Sequence, residues 1–560
     1  MFKKTDPNPQ LDIFTAPSMQ LGSRASKKYS DPNAWHNQFY SLVTTKIDEE
    51  IFKPLFPEGK KSGRPNASIR ILVAMSVLKE GFGCSDEDLF EKCEFDLLTR
   101  KALGMELLTD VTPSIDTYYL FRRRISEYQE RTGIDLMQIC FEQLAGNQIR
   151  LLKISGKCVR MDSKLIGSNI ARQSRYELIH TTLVKFLKTC TLSNLSPEQE
   201  ERAKEYLKED SSKTVYRSDS DTLQSNLARI GNFIMDMLAA FPAISPAHDL
   251  LQRLFDEQYV VMDGKAVLRD KKEVKADSLQ NPNDPDATYR AKNDQKVQGY
   301  VTNITETVEE GKPNIITSVQ VETAVFADCH FLQEAVENSE RVTDSTIKDL
   351  YADGAYQSPD NREFAKNHNA MQLKTGKMQG GCRWELIPHG EDDLIVREIA
   401  TGNTYEAVKA VTKQGSRKRW RIPWNNKTGW RYFEDKDIKA YQLRKQIESL
   451  PLEEQHKRNN VEAAMFQYCF HTRNGKTRYR GLLKHRMHAY SRCMWMNLRR
   501  MVIFQISTFQ RSIFALFGPI REAFGSFKAI FRKIFTSGAD CYVSLRMTTL
   551  VRLDSKYAPF

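Results

Sequence analysis

The chain has 560 residues, 40% hydrophobic and 28% charged, with a net charge of +12. That length is too great for one core and predicts two to four folded units, and the composition excludes a disordered or fibrous chain. The opening MFKKTDPNPQLDIF has no apolar run of signal-peptide kind, and the most apolar late stretch is broken by Gln505, Gln510 and Arg511, so no membrane span is expected.

The ten cysteines include no CxxC pair, which argues for reduced thiols in a cytoplasmic protein and against a zinc site. The charge is unevenly placed. From His471 to Phe560 there are 17 Lys or Arg against 3 Asp or Glu, while the other 470 residues are close to neutral. This basic end is interleaved with aromatics (RYRGLLKHRMHAYSRCMWMNLRRM), a pattern suited to a polyanion, nucleic acid first. A solvated helix face with a basic tail is the plainer alternative.

Residues 1–60 are polar and turn-rich and read as an N-terminal extension. In GRPNASIRILVAMSVLKEGFG, Ile71, Leu72, Met75, Leu78 and Lys79 follow helical spacing, with stops at Gly81 and Gly83. Ser85 and Asp88 form the cap signal of a second helix, and a third, after PSIDT, carries Arg122, Arg123 and Arg124 in a row. The stretch 61–148 thus reads as a helix-turn-helix-like DNA-binding domain, with a plain helical bundle as the alternative.

At LLKISGKCVRMDSK the period changes to two, predicting a strand whose end carries Asp162. Residues from about 170 to 285 return to helical patterns. KVQGYVTNITET and NIITSVQVETAVF read as strands joined by EEGKPN, a helix follows around FLQEAVENSERV, and LYADGAY is a strand leaving through Asp353 and Gly354. Short β-like runs fill about 381 to 435, and helix follows to about 470, interrupted at Pro451. In its last part Glu462, Met465, Phe466, Cys469 and Phe470 share one face, which puts a carboxylate on the apolar side unless Arg458 pairs with it along the helix.

Asp162, Asp353 and Glu462 are therefore three carboxylates in places that cost free energy unless a cation meets them. Hard oxygen ligands suit Mg²⁺, and two such ions suit in-line displacement at phosphorus. Singly, each residue is equally well read as an ordinary surface or capping acid.

The ordered set VRMDSK, KVQGY, NIITSVQVETAVFADCHFL, LYADGAY and KRNNVEAAMF resembles bacterial insertion-sequence transposases of the DDE type, and the resemblance runs from about residue 60 to 505. It implies an α/β fold: an RNase H-like catalytic core over 149–505, with a helical insertion at about 170–285 and a β-rich insertion at about 381–447. An α-helical N-terminal domain precedes this core, and a basic tail, 506–560, follows it. It implies that Asp162 on the first strand, Asp353 after the fourth and Glu462 on the following helix are the catalytic ligands of two Mg²⁺ ions, with Mn²⁺ able to substitute. Arg458 would contact DNA beside them, with Arg122, Arg123, Arg124, Arg478, Arg480 and Lys484 as further contacts. The chain departs from the family's helix motif at Gln455, where tyrosine is common, and at Cys469, where lysine is common.

The implied activity is cleavage of DNA at the element's own terminal inverted repeats and transfer of the 3′-OH strands to target DNA, by a homodimer on paired ends. A catalytically inactive DNA-binding descendant, or a nuclease without strand transfer, remains as the alternative.

Overall fold

The computed structural model describes residues 2–5, 16–56, 65–241, 245–292, 295–375, 382–389, 393–410, 418–424, 429–449, 451 and 462–534. The chain divides into two units. Met1–Gln148, Glu310–Ile315 and Ser491–Phe560 form the first, and Ile149–Glu309 with Ile316–Tyr490 the second.

The first unit is helical. Its principal elements are α1 (Trp35–Leu42), α2 (Ile69–Phe82), α3 (Asp86–Phe95), α4 (Leu97–Leu103), α5 (Ile115–Thr132) and α6 (Leu136–Leu152), the last running past the unit boundary. Three of the starts carry serine caps. Ser68 caps α2, Ser85 and Asp88 form a reciprocal capping box on α3, and Ser114 caps α5. Such caps satisfy N–H groups that have no partner within the helix, at about 1 kcal/mol each. Gly83, Gly104 and Gly133 end three of these helices in the left-handed conformation.

Gly81 has a different role. A Cβ there would stand 2.3 Å from the Trp495 ring, on the long C-terminal helix Leu482–Ile534. Trp495 meets Trp35, Phe39 and Phe82, and Arg492 donates to the Glu80 and Gly81 carbonyls that end α2. The arginine thus satisfies helix-end acceptors while the glycine lets the indole seat.

The second unit opens with β1 (Cys158–Gly167), which runs five residues past Asp162, so that aspartate lies within the strand and not at its end. The extension comes from its partner: all of Val159–Gly167 pairs antiparallel with β5. A helical segment follows, α7 (Arg175–Leu187), α8 (Pro197–Lys208), α9 (Ser220–Ala240) and α10 (Pro246–Gln258), with a hairpin, β2 (Tyr259–Met262) and β3 (Lys265–Leu268). It has its own apolar core, centred on Ile179, Phe233, Leu251 and Tyr259. The hairpin lies where only helix was expected, and the strand β4 (Thr288–Lys292) falls between that segment and the next expected strand.

The chain then returns to the main sheet through β5 (Gln295–Thr307) and β6 (Ile316–Thr323), crosses by α11 (Leu332–Thr343) to β7 (Asp349–Ala352), and by α12 (Pro359–Asn367) to β8 (Gln372–Thr375). The sheet order is β4–β5–β1–β7–β8, with β6 also on β5. Strands β1, β7 and β8 are parallel, and β5 is antiparallel to β1, β4 and β6. This is a mixed α/β sheet. Val159, Met161, Leu350 and Ala352 form one face and pack beneath Leu332, Ala335 and Val336 of α11. Burying each such side chain contributes about 1.5–3 kcal/mol, which pins the register of β1 against β7.

A second, five-stranded antiparallel sheet comprises β9 (Trp384–His389), β10 (Asp393–Glu398), β11 (Thr404–Ala410), β12 (Arg419–Trp424) and β13 (Gly429–Glu434). Its core of Trp384, Val396, Trp420, Ile422 and Phe433 includes Ile438 of α13 (Asp435–Glu448). A short helix over 462–469 leads to a loop and the C-terminal helix.

Candidate active site

Strand β1 pairs with β7 in parallel through Cys158↔Asp349, Val159↔Leu350 and Arg160↔Tyr351. Continuing this register by two residues brings Asp162 level with Asp353, the first residue past β7. Neighbouring strands lie about 4.8 Å apart, so two carboxylates from distant parts of the sequence stand side by side on one face of the sheet. Both are half-buried.

Each aspartate is held by its own turn. Asp162 accepts the Ser163 N–H at 2.8 Å, and Asp353 the Gly354 N–H at 2.7 Å. Asp353 thereby caps the 3₁₀ turn Gly354–Tyr356. Gly354 keeps an ordinary backbone there, so its smallness, not a glycine-only conformation, accompanies the turn. The next helix, α12, has its own cap in Ser358.

Behind the turn lies a buried polar chain. The Tyr356 hydroxyl donates to Asn303 Oδ1 (2.6 Å), Asn303 Nδ2 to Gln320 Oε1 (2.8 Å), and Gln320 Nε2 to Glu334 Oε2 (2.9 Å). Asn361 Nδ2 donates to the Tyr356 carbonyl at 2.8 Å. Fully bonded buried groups of this kind fix orientation, because breaking any bond strands a polar atom away from water. On the Asp162 side of β1, Arg160 is buried against Glu306, its Nη2 and Nε lying 2.5 and 2.6 Å from Oε1.

Electrostatics tie the carboxylates together. Burial pushes the Asp162 carboxyl up to about 6, and the Asp353 and Glu462 carboxylates push the same way, against the Ser163 N–H and the Lys292 ammonium. The Tyr356 hydroxyl is held well above its usual range by burial first and the Asp162 charge second. Lys292 is itself paired with Asp328 at 3.4 Å, beside Arg290 at 3.0 Å.

Glu462 departs from expectation. The helix over 462–469 buries Ala464, Met465 and Tyr468, and Glu462, Phe466 and Phe470 are exposed. Of the stripe through Glu462 only Met465 is buried; the docked face is Ala464, Met465 and Tyr468, whose hydroxyl lies 3.4 Å from Thr302 Oγ1 on β5. Among the described residues no group of three or more His, Cys, Asp or Glu is gathered as a metal-binding cluster. The Glu462 charge adds to the upward push on the Asp162 carboxyl, as the smallest of its causes. Arg458 and Gln455 lie outside the described residues.

The other expected contacts divide. Arg478, Arg480 and Lys484 are exposed, Lys484 in the first turn of the C-terminal helix and the arginines in a loop stitched to the end of β1 by Gly167 N to Gly475 O (2.8 Å), Asn169 N to Tyr479 O (3.1 Å) and Arg480 Nε to Asn169 O (2.6 Å). In the first unit only Arg123 of its trio is exposed. Arg122 lies on the Tyr118 ring and Arg124 on the Phe56 ring. Sequence reading missed Tyr356, Asn303 and Lys292; its one available signal was a polar Asn303 inside the β-branched run YVTNITET.

Among the described residues no helix is long and apolar enough to cross a membrane. Residues 28–124, which span α1 to most of α5, match the family model of a transposase domain (DUF772). No curated protein and no solved structure matched the chain.

Proposed function

We propose that the chain, whose residues 28–124 carry the domain of an insertion-sequence transposase, is a DNA transposase of the DDE type built on an RNase H-like core. It binds the terminal inverted repeats of its own element, cleaves the DNA ends and joins the 3′-OH strands to target DNA. The observation that carries this reading is the register of β1 and β7, which sets Asp162 beside Asp353. The mixed strand order, with one long antiparallel strand against parallel β1, β7 and β8, supports the same core.

The donor set suits Mg²⁺: all three side chains offer hard carboxylate oxygens, and the mutual repulsion at Asp162 is what a divalent cation would relieve. Asp162, Asp353 and Glu462 would hold two ions, which when bound supply charge stabilisation at the attacking and leaving oxygens. The chain itself does the rest. The Tyr356–Asn303 network fixes the turn that aims Asp353, and the exposed Arg478, Arg480 and Lys484 grip phosphates and set the DNA's path. Water and then the 3′-OH are the nucleophiles, with no covalent protein–DNA intermediate. The protein works in the cytoplasm as a homodimer on paired ends.

Incubating the full chain with Mg²⁺, a duplex carrying one terminal repeat and its flank, and a target plasmid tests this. Strand cleavage and joined products are expected. Replacing Asp162, Asp353 or Glu462 by Ala should abolish both, while binding, which rests on phosphate contacts elsewhere, survives. Specific binding without cleavage by the natural chain would make it an inactive DNA-binding descendant, and cleavage without joining a nuclease.

A further inference from the structure

Phe466, on the exposed face of the 462–469 helix that also carries Glu462, is 70% exposed, and Phe470, in the turn directly after that helix, is 64% exposed. Residues four apart fall within about 40° of each other around a helix and about 6 Å apart along it, so Phe466 continues the line that begins at Glu462, and the Phe470 ring stands next to it. Their centroids lie 6.3 Å apart, edge to face, and the His471 ring extends the series 5.1 Å beyond Phe470. Phenylalanine is among the residues most often buried, and two in series left to water mark a surface that meets something apolar.

The surroundings say what. Immediately after the rings the chain exposes Arg473, Arg478, Arg480 and Lys484. A partner must therefore offer apolar faces and negative charge together. A second copy of this face would bring the same cations against one another, which opposes self-pairing. Duplex DNA offers the charge but hides its base faces, whereas unpaired bases on a phosphate backbone offer both.

We propose that Phe466 and Phe470 are a stacking platform for unpaired bases at the transposon end, holding the DNA open beside Glu462. This rests on the transposase reading. Cleaving near a duplex end is eased when the last pairs are unstacked, an expense that stacking on aromatic rings offsets. In this chain the rings would be positioning groups, since neither carries a proton or a metal.

The test compares the natural chain with Phe466→Ala/Phe470→Ala and with Phe466→Trp/Phe470→Trp. Each is given a fully paired end and the same end with its last three bases unpaired, in Mg²⁺, and the oligomeric state is recorded alongside. The alanine pair should cleave the paired end about 10- to 100-fold more slowly, at the strength of one or two lost base stacks, with little change in affinity. Pre-opened ends should restore most of that rate, and the tryptophan pair should cleave like the natural chain. Equal cleavage of paired ends by the natural chain and the alanine pair would overturn the proposal, as would a defect that pre-opened ends do not relieve. Loss of a dimer with DNA behaviour unchanged would overturn it too, by assigning the face to a second copy. If the natural chain cleaves neither end, it is the transposase reading that fails.

Discussion

Asp162 within β1 and Asp353, the first residue past β7, come level when the parallel ladder that pairs Arg160 with Tyr351 is continued by two residues. Parallel pairing of β1 with β7 needs a crossover, and β5, β6 and α11 supply it, covering the apolar side of both strands. The acids then fall on the opposite face because side chains alternate. A slip of one residue would bury them under α11 and expose Met161, which fixes the pairing energetically.

The aspartate pair carries a pH signature. The Asp162 carboxyl titrates at about 6 when folded, above its ordinary 3.8, so between those values the folded state keeps a proton that the unfolded chain has lost. Its contribution to stability is fully present below about pH 4 and declines as pH rises through about 6. Without metal, Asp162→Asn should therefore raise the thermal midpoint at pH 7.5, by a free energy on the order of 1–3 kcal/mol, and change little near pH 4. Thermal unfolding in a chelator at both values checks this; an unchanged midpoint at pH 7.5 would mean that the carboxylate is not strained.

Gly81→Ala pits two effects against each other. Within a helix, alanine is favoured over glycine by up to about 1 kcal/mol. Here the added methyl would stand 2.3 Å from a Trp495 ring already bounded by Trp35, Phe39 and Phe82. Overpacking of this kind costs about 1–3 kcal/mol, so the clash should win and the thermal midpoint should fall. A midpoint at or above the natural one would show that the indole can retreat.

Much of this was legible in the sequence, and the failures have physical causes. Helix α2 announced itself by its regular apolar spacing and α3 by the Ser85–Asp88 cap signal, which forms a reciprocal capping box. Asp353 was legible because an acid straight after LYA is costly. The extent of β1 was not: beyond Asp162 the run Ser163–Lys164–Leu165 loses its alternation, and only pairing with the distant β5 keeps it extended. Glu462 was assigned to the buried side because Phe466 and Phe470 look like core residues, whereas docking by Met465 and Tyr468 turns Glu462 and both phenylalanines outward. Tertiary contact decided both cases, and no local pattern encodes it.

Arg478→Ala/Arg480→Ala/Lys484→Ala should weaken DNA binding broadly across sequences. Each lost phosphate contact lowers the slope of log affinity against log salt by about 0.9, so the slope should flatten by up to about 3. Binding titrations from low to moderate salt measure it, and an unchanged slope would place the DNA away from these three side chains.

The central claim is that Asp353 and Asp162 hold catalytic metal ions, and Asp353→Cys tests it most directly. A thiolate is a poor ligand for Mg²⁺ and a better one for the softer Mn²⁺. Cleavage of a terminal-repeat duplex by the natural chain should proceed with either ion. The variant should be inactive in Mg²⁺ and recover a measurable part of the natural rate in Mn²⁺. Cleavage by the variant in Mg²⁺ at the natural rate would contradict the account.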